Sequence, residues 1–443
     1  MSAELEAESQ SQTQERTFFS LNSSLWACLI ASLVLRGAAS AMGVMVGFYL
    51  RHLHDAGIQN ATPLTVALFA VAFFATELIG APIFGAWSDR YGRKPFMVLG
   101  PLFGAIAVQI TAVTAALPLL LITRLLEGLS TASSLPATLS YISNATSHNP
   151  VARGRAVSLW EITTIGGLAL GFRAAGTLWD DFGRTGFSIV AVIYLLSAVI
   201  FYWGMRHQPR ATPTEPSETH RLIQVLRQDD ILRFAPAWVA FSAIVGLWLN
   251  HLPYQLSGAV RHPSQNLTGG FSGRGIGTML AGYALLFSVG VFLWGLTFAR
   301  IRRVIIMLIA NVGVFIATFA SYGINHVPLD ARGIVILLGV VFVGGVLLES
   351  GFTPAALGYL ADISENYLED RGAIMGLYSV LLGIGQLIGG GVGGPFAQRW
   401  GMDGVILLTA LFALVALATV LRLYQIENNL ARAEKQSPTD NNP

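Results

Sequence analysis

The chain has 443 residues, 53% of them hydrophobic and 12% charged, with Lys+Arg 27 against Asp+Glu 25. Soluble domains carry about 25% charged residues, so half that share with a mean hydropathy of +0.59 puts most of this chain against lipid or other apolar helices. The near balance of charge, and the lack of a P-loop, a dinucleotide fingerprint or a Cys/His metal spacing, argue against nucleic-acid binding, a metal site and an organic cofactor.

Residues 1–22 are polar and Glu-rich and read as a disordered cytoplasmic tail. No cleavable leader is expected, because the tail runs straight into a long apolar segment. Cys28 is the single cysteine, which leaves no internal disulfide to form. A membrane helix needs about 20 mostly apolar residues, and twelve such runs are predicted at 24–50, 63–87, 95–115, 117–142, 155–179, 185–205, 234–255, 276–299, 303–323, 332–360, 372–396 and 403–424. The expected fold class is therefore an all-α membrane protein with 12 transmembrane helices in two six-helix bundles. The first bundle covers 23–205 and the second 234–425. Between them, 206–233 holds Pro209, Pro213 and Pro216 with mixed charge and reads as a cytoplasmic linker; 426–443 reads as a second disordered tail.

Lys and Arg bias sets orientation. With both termini cytoplasmic, that side holds a threefold excess of Lys and Arg, including Arg90, Arg93, Lys94, Arg300, Arg302 and Arg303. The chain also repeats itself at an offset of 218: Pro136, Ala137, Leu139 and Tyr141 recur as Pro354, Ala355, Leu357 and Tyr359. Arg153-Gly154 recurs as Arg371-Gly372, and Gly167, Gly171 and Gly176 recur as Gly385, Gly389 and Gly394. Biased glycine usage alone does not put Pro, Tyr and Arg-Gly into the same register.

Between the second and third spans lies Gly85-Ala86-Trp87-Ser88-Asp89-Arg90-Tyr91-Gly92-Arg93-Lys94. This stretch resembles the loop signature between helices 2 and 3 of the major facilitator superfamily of secondary transporters. A degenerate copy stands at Gly295–Arg303, where Ala299 replaces the acid and the cations Arg300, Arg302 and Arg303 remain. The resemblance covers the whole chain between the tails. It implies two parallel six-helix halves that alternate access to a midplane cavity. It also implies that Asp89 faces the positive N-terminal end of helix 11, near Gly372, where a carboxylate gains up to about 1 kcal/mol. Gly85 is expected to let helix 2 approach a neighbour, and Gly92 to allow the sharp turn. Arg90, Arg93 and Lys94 are expected to reach Asp362, Glu365, Glu369 or Asp370 across the halves; positive-inside charge is the plainer alternative.

Seven charged residues fall inside predicted spans: Arg36, Glu77, Arg124, Glu127, Glu161, Arg173 and Glu349. Each costs at least about 2.5 kcal/mol at the bilayer centre, so they are expected to pair internally and to serve coupling or binding. At 1.5 Å per residue, Arg36 and Glu77 lie roughly 20 Å into their helices, near the midplane. The expected contacts are Arg36–Glu77 and Arg173–Glu127, with Glu161 closer to the cytoplasmic charge network. Arg124 and Gly128 form an Arg-x-x-x-Gly pattern that resembles the helix-4 motif of proton-coupled drug exporters in the superfamily. Arg124 and Glu127, three apart, share a helical face, and a buried Arg beside a carboxylate can bias its proton affinity. A fixed ion pair between helices is the structural alternative. Helix 5 departs from the exporter pattern: Phe172-Arg173 follows Gly171 where a Gly-Pro step belongs. Arg173 with Arg124 can instead attract an anion. Asn250, His251, Gln386, Trp160, Trp248, Tyr254 and Tyr378 are weaker candidates for cavity lining.

The leading expectation is a monomeric secondary transporter in the cell (inner) membrane lipid bilayer, moving a small-molecule substrate by alternating access. Within it, proton-coupled export of a largely apolar compound stands ahead of symport or uniport of a polar or anionic solute. A transporter-like receptor or scaffold is the alternative of another class. No nucleophile–base set marks the chain as an enzyme.

Overall fold

The computed structural model describes residues 22–147, 150–206, 225–298, 300–328, 330–365, 367 and 371–436. The expected tail over 1–21 and the central part of the linker, 207–224, lie outside the described residues. The helices are α1 (Ser23–Asp55), α2 (Pro63–Tyr91), α3 (Arg93–Val113), α4 (Leu117–Ala145), α5 (Pro150–Phe182), α6 (Gly186–Gly204) and α7 (Asp229–Leu256). They continue as α8 (Gly273–Gly295), α9 (Arg303–His326), α10 (Arg332–Glu349), α11 (Phe352–Ser364), α12 (Arg371–Trp400) and α13 (Met402–Gln436). By length and hydropathy, 10 segments among the described residues can cross a membrane; two of them join two helices each, 152–204 taking in α5 and α6 and 332–364 taking in α10 and α11. α4 falls short of that standard because Arg124, Glu127 and its many hydroxyl side chains lower its hydropathy.

Three boundaries differ from the sequence expectation, each for a local reason. The predicted span 332–360 is two helices. Pro354 cannot donate to the carbonyl of Ser350, and the Ser350-Gly351 step breaks the helix there, as Gly/Ser pairs do. The freed carbonyl of Leu347 accepts from Trp294 Nε1 at 3.0 Å and from Ser350 Oγ at 2.8 Å. α7 starts inside the expected linker, with Asp229 and Asp230 in its first turn, where the helix dipole favours acids. α13 runs through 426–436, expected to be a disordered tail. It is tied down there by Arg302, which pairs with Glu427 and donates to Asn428 Oδ1 at 2.8 Å.

The repeat is visible as packing. α1 lies against α5 and α6 as α7 lies against α12 and α13; α3 packs on α4 and α6, and α9 on α10 and α13. Repeat-related glycines make equivalent contacts. A Cβ on Gly167 would meet the carbonyl of Leu33 at 2.6 Å, and one on Gly385 the carbonyl of Val239 at 2.5 Å. So α5 sits on α1, and α12 on α7, backbone to backbone. Gly176 and Gly394 reach the opposite half instead, against Gly273 and Ala67. The halves meet through α2–α12, α5–α8 and α1–α7. Outward, Ile79, Ile83, Leu170, Trp203, Phe292, Phe319 and Val340 are exposed, an apolar belt that suits lipid.

Candidate functional site

Charged side chains gather in the first half where two close helix approaches bring them together. Gly128 lets α4 sit on α2: its Cβ would lie 2.8 Å from Thr76 Cβ and 3.2 Å from Glu77 N. Gly167 does the same between α5 and α1, 2.8 Å from Arg36 Cβ. Arg124 and Glu127, both buried, form an ion pair along α4. The Arg124 guanidinium also lies 6.0 Å from the centre of the Phe73 ring. Arg36 stands within electrostatic reach of Glu77 and Glu161. Tyr194 of α6, fully enclosed, faces both Arg36 and Arg124. A crevice beside Arg36 is lined by Ser32, Thr131, Ser134, Thr138 and Trp160. Hydroxyls, one cation and an indole thus face one space.

Of the two expected pairs, Arg36 and Glu77 stand within electrostatic reach of each other, and Arg173 and Glu127 are not paired among the described residues. Glu127 takes the neighbour three residues away on its own helix, and Arg173 is exposed and donates to Thr177 one turn on. Among the described residues, Glu161 stands within electrostatic reach of Arg36 and, across the halves, of Tyr378 on α12. Glu349 ends α10 in the second half, away from this cluster, and accepts from Tyr283 Oη at 2.8 Å. Tyr194 and Tyr283 had no signal in the sequence: tyrosines in apolar helices have no spacing that marks a charge partner.

The signature stretch is mostly helix. α2 continues through Tyr91 and the turn is made by Gly92 alone, at φ +102°, a conformation that favours glycine. Asp89 pairs with Arg93 across that turn. Arg93 Nη1 donates to Ser88 Oγ at 3.1 Å, and Lys94 Nζ donates to the carbonyl of Met205 at 2.9 Å. Arg90 lies over the Tyr91 ring. Gly85 is not a close-approach site: its Cβ would have ordinary contact, 3.8 Å from Pro136 Cβ, whereas Gly80 would come within 3.0 Å of Ala132. In the second copy Arg303 Nη1 donates to the carbonyl of Phe298 at 2.6 Å and lies 3.7 Å from Asp362. Arg93 and Arg303 thus both reach five residues back. Gly295 has open space around it and Arg300 is exposed. Asp362, expected to serve the first loop, is taken by its own half. Ala299, Glu369 and Asp370 lie outside the described residues, as do the side chains of 371–373.

Most of the weaker lining candidates are engaged in packing. Tyr254 Oη donates to the carbonyl of Ala61 at 2.7 Å, and Trp248 Nε1 donates to Thr409 Oγ1 at 2.9 Å. Asn250 donates to the carbonyl of Gly246, and His251 Nε2 bonds the carbonyl of Gly390. Gln386 backs onto Gly246 through its main chain. Tyr378 stacks on Trp238, ring centres 4.6 Å apart.

A family model described as Major Facilitator Superfamily matches residues 25–264 and 264–441. Multidrug resistance protein 1 of Bacillus subtilis (strain 168) is 26% identical over 354 residues, covering 78% of this chain and 82% of that protein. The tetracycline resistance protein, class D, of Salmonella ordonez is 27% identical over 168 residues, 38% of this chain and 41% of its own. Among solved structures, the nucleoside transporter NupG superposes with a TM-score of 0.72 at 11% identity, covering 91% of this chain and 99% of that one. That likeness is one of fold.

Proposed function

The chain belongs to the Major Facilitator Superfamily, and from that premise we propose that it exports a small, largely apolar compound in exchange for protons. It is a multi-pass membrane transporter rather than an enzyme. The observation that carries the export reading is the buried Arg124–Glu127 pair, pressed by Gly128 against the Glu77 turn of α2. A carboxylate facing one guanidinium in a dry site holds its charge only while that guanidinium stays; moving the cation lets the acid take a proton. Arg36, shared between Glu77 and Glu161, links that exchange to the crevice in which a solute would sit. Relatives named for multidrug and tetracycline resistance support outward movement. The Lys and Arg excess supports a cytoplasmic Asp89 loop and cytoplasmic termini. One duplicated chain supplies both walls of the cavity, which supports a monomer.

The test is transport by the purified chain in proteoliposomes under an imposed pH gradient, with a panel of lipophilic compounds. Substrate is expected to move against the proton flow, and Glu127→Gln is expected to reduce gradient-driven transport to that of empty liposomes. A Glu127→Gln protein that keeps its full pH dependence removes Glu127 as proton carrier. Substrate and protons moving in the same direction would establish symport instead.

A further inference from the structure

The halves are also joined at the end opposite the Asp89 loop, by groups that the Arg124–Glu127 chemistry does not use. α5 ends in Trp179-Asp180-Asp181-Phe182. Asp180 Oδ1 accepts the N–H of Gly273 at 2.9 Å, and Oδ2 accepts the N–H of Arg274 at 2.9 Å. These are the first two residues of α8, in the other half. The Arg274 guanidinium closes on Asp181. The next N–H of α8, on Gly275, donates to Ser272 Oγ at 3.1 Å. The first three free N–H groups of α8 are thus all taken, two of them by one carboxylate from the first half, where the helix dipole favours negative charge.

The backbones beneath this contact touch. A Cβ on Gly277 would lie 3.2 Å from Gly176 N, and one on Gly176 would lie 2.9 Å from Arg274 N. At the same end, Asp55 Oδ2 accepts the N–H of Ala259 at 2.9 Å while Arg51 Nε holds Oδ1 at 2.9 Å. The repeat does not copy the arrangement. At the offset of 218, Gln398 stands where Asp180 stands, and α2 caps its own start through Thr62 and Thr65.

We infer that Asp180, seconded by Asp181 and Arg274, is the gate residue that holds this end of the transporter shut. The cavity opens toward that end only when the carboxylate leaves the α8 N-terminus. The inference rests on the alternating-access reading above but needs neither export nor proton coupling.

The test is the labelling rate of a reporter cysteine. Cys28 is buried and is the single cysteine, so Cys28→Ala gives a clean background. Ala39→Cys places the reporter in the Arg36 crevice. In a separate protein Val260→Cys, at a residue 79% exposed in the α7–α8 connection, marks which vesicle face carries the Asp180 end. A membrane-impermeant maleimide is applied from that face. Asp180→Asn and Asp180→Ala are each expected to raise the Ala39→Cys labelling rate severalfold, and Arg274→Ala to raise it less. Asn keeps the volume of Asp and guards against a variant that fails to fold. An unchanged rate in either folded Asp180 variant, judged by a monodisperse elution profile, overturns the gate. Loss of proton-coupled transport in the parent, with the labelling contrast intact, would instead overturn the export reading alone.

Discussion

Gly128 leaves no room for a methyl group, which would lie 2.8 Å from Thr76 Cβ. Gly128→Ala must push α4 off α2 and carry Arg124 and Glu127 away from Glu77. Overpacking of this kind costs about 1–3 kcal/mol, so the melting temperature in detergent is expected to fall, and transport with it. Gly282 has nothing within 4 Å, and alanine there gains about 0.5–1 kcal/mol of helix preference. Gly282→Ala is therefore expected to be neutral or slightly stabilising. Equal melting of the two variants would sink the close-approach account. At this scale the sequence was legible where partners share a helix. Arg124 and Glu127 are three apart, so their pairing needs no knowledge of the fold. Arg173 was not legible, because a pair between helices depends on which face each helix turns, and spacing within one helix does not record that.

α2 and α3 meet at one residue, and Asp89–Arg93 bridges the two helices across Gly92. The pair is partly exposed, and an ion pair at the surface is worth about 0.2–1 kcal/mol. Asp89→Asn is therefore expected to change melting by about a degree at most, because in a chain of this size about 1 kcal/mol moves the midpoint by roughly one degree. If Asp89 exchanges Arg93 for a partner in the second half during the cycle, transport drops severalfold in the same protein. Transport and melting measured side by side decide it: both unchanged leaves Asp89 a surface pair. The helices were read from apolar runs, and the runs located most of them. The Ser350-Gly351 break was hidden because it lies inside a continuous apolar stretch, and its cause, Pro354, has a repeat partner in Pro136 that α4 accommodates unbroken. The helical extension of α13 was hidden for the opposite reason: its residues are polar, and only the Arg302 contacts hold them in place.

Across the described residues of the molecule, the duplicated glycines pack each half alike, while the hydrogen bonds seen between halves are not duplicated. Among the described residues, hydrogen bonds that cross the halves gather at the Asp180 end: Asp55 with Ala259, Tyr254 with Ala61, and Asp180 with α8. The Arg36 crevice is therefore expected to be reached more readily from the Asp89 side. Ser134→Cys, in the Cys28→Ala background, is expected to label severalfold faster from that side than from the Asp180 side; the reverse order would contradict the sealed end. The duplication was legible because it rests on identities at one offset, and the one-sided gate was not, because a carboxylate on a partner helix's N–H groups has no fixed sequence distance. The break between α10 and α11 adds a mechanical difference to the chemical one. α4 spans its half as a single stiff rod, whereas its counterpart is a jointed one. In the rocking motion proposed above, bending is expected to concentrate at that joint in the second half.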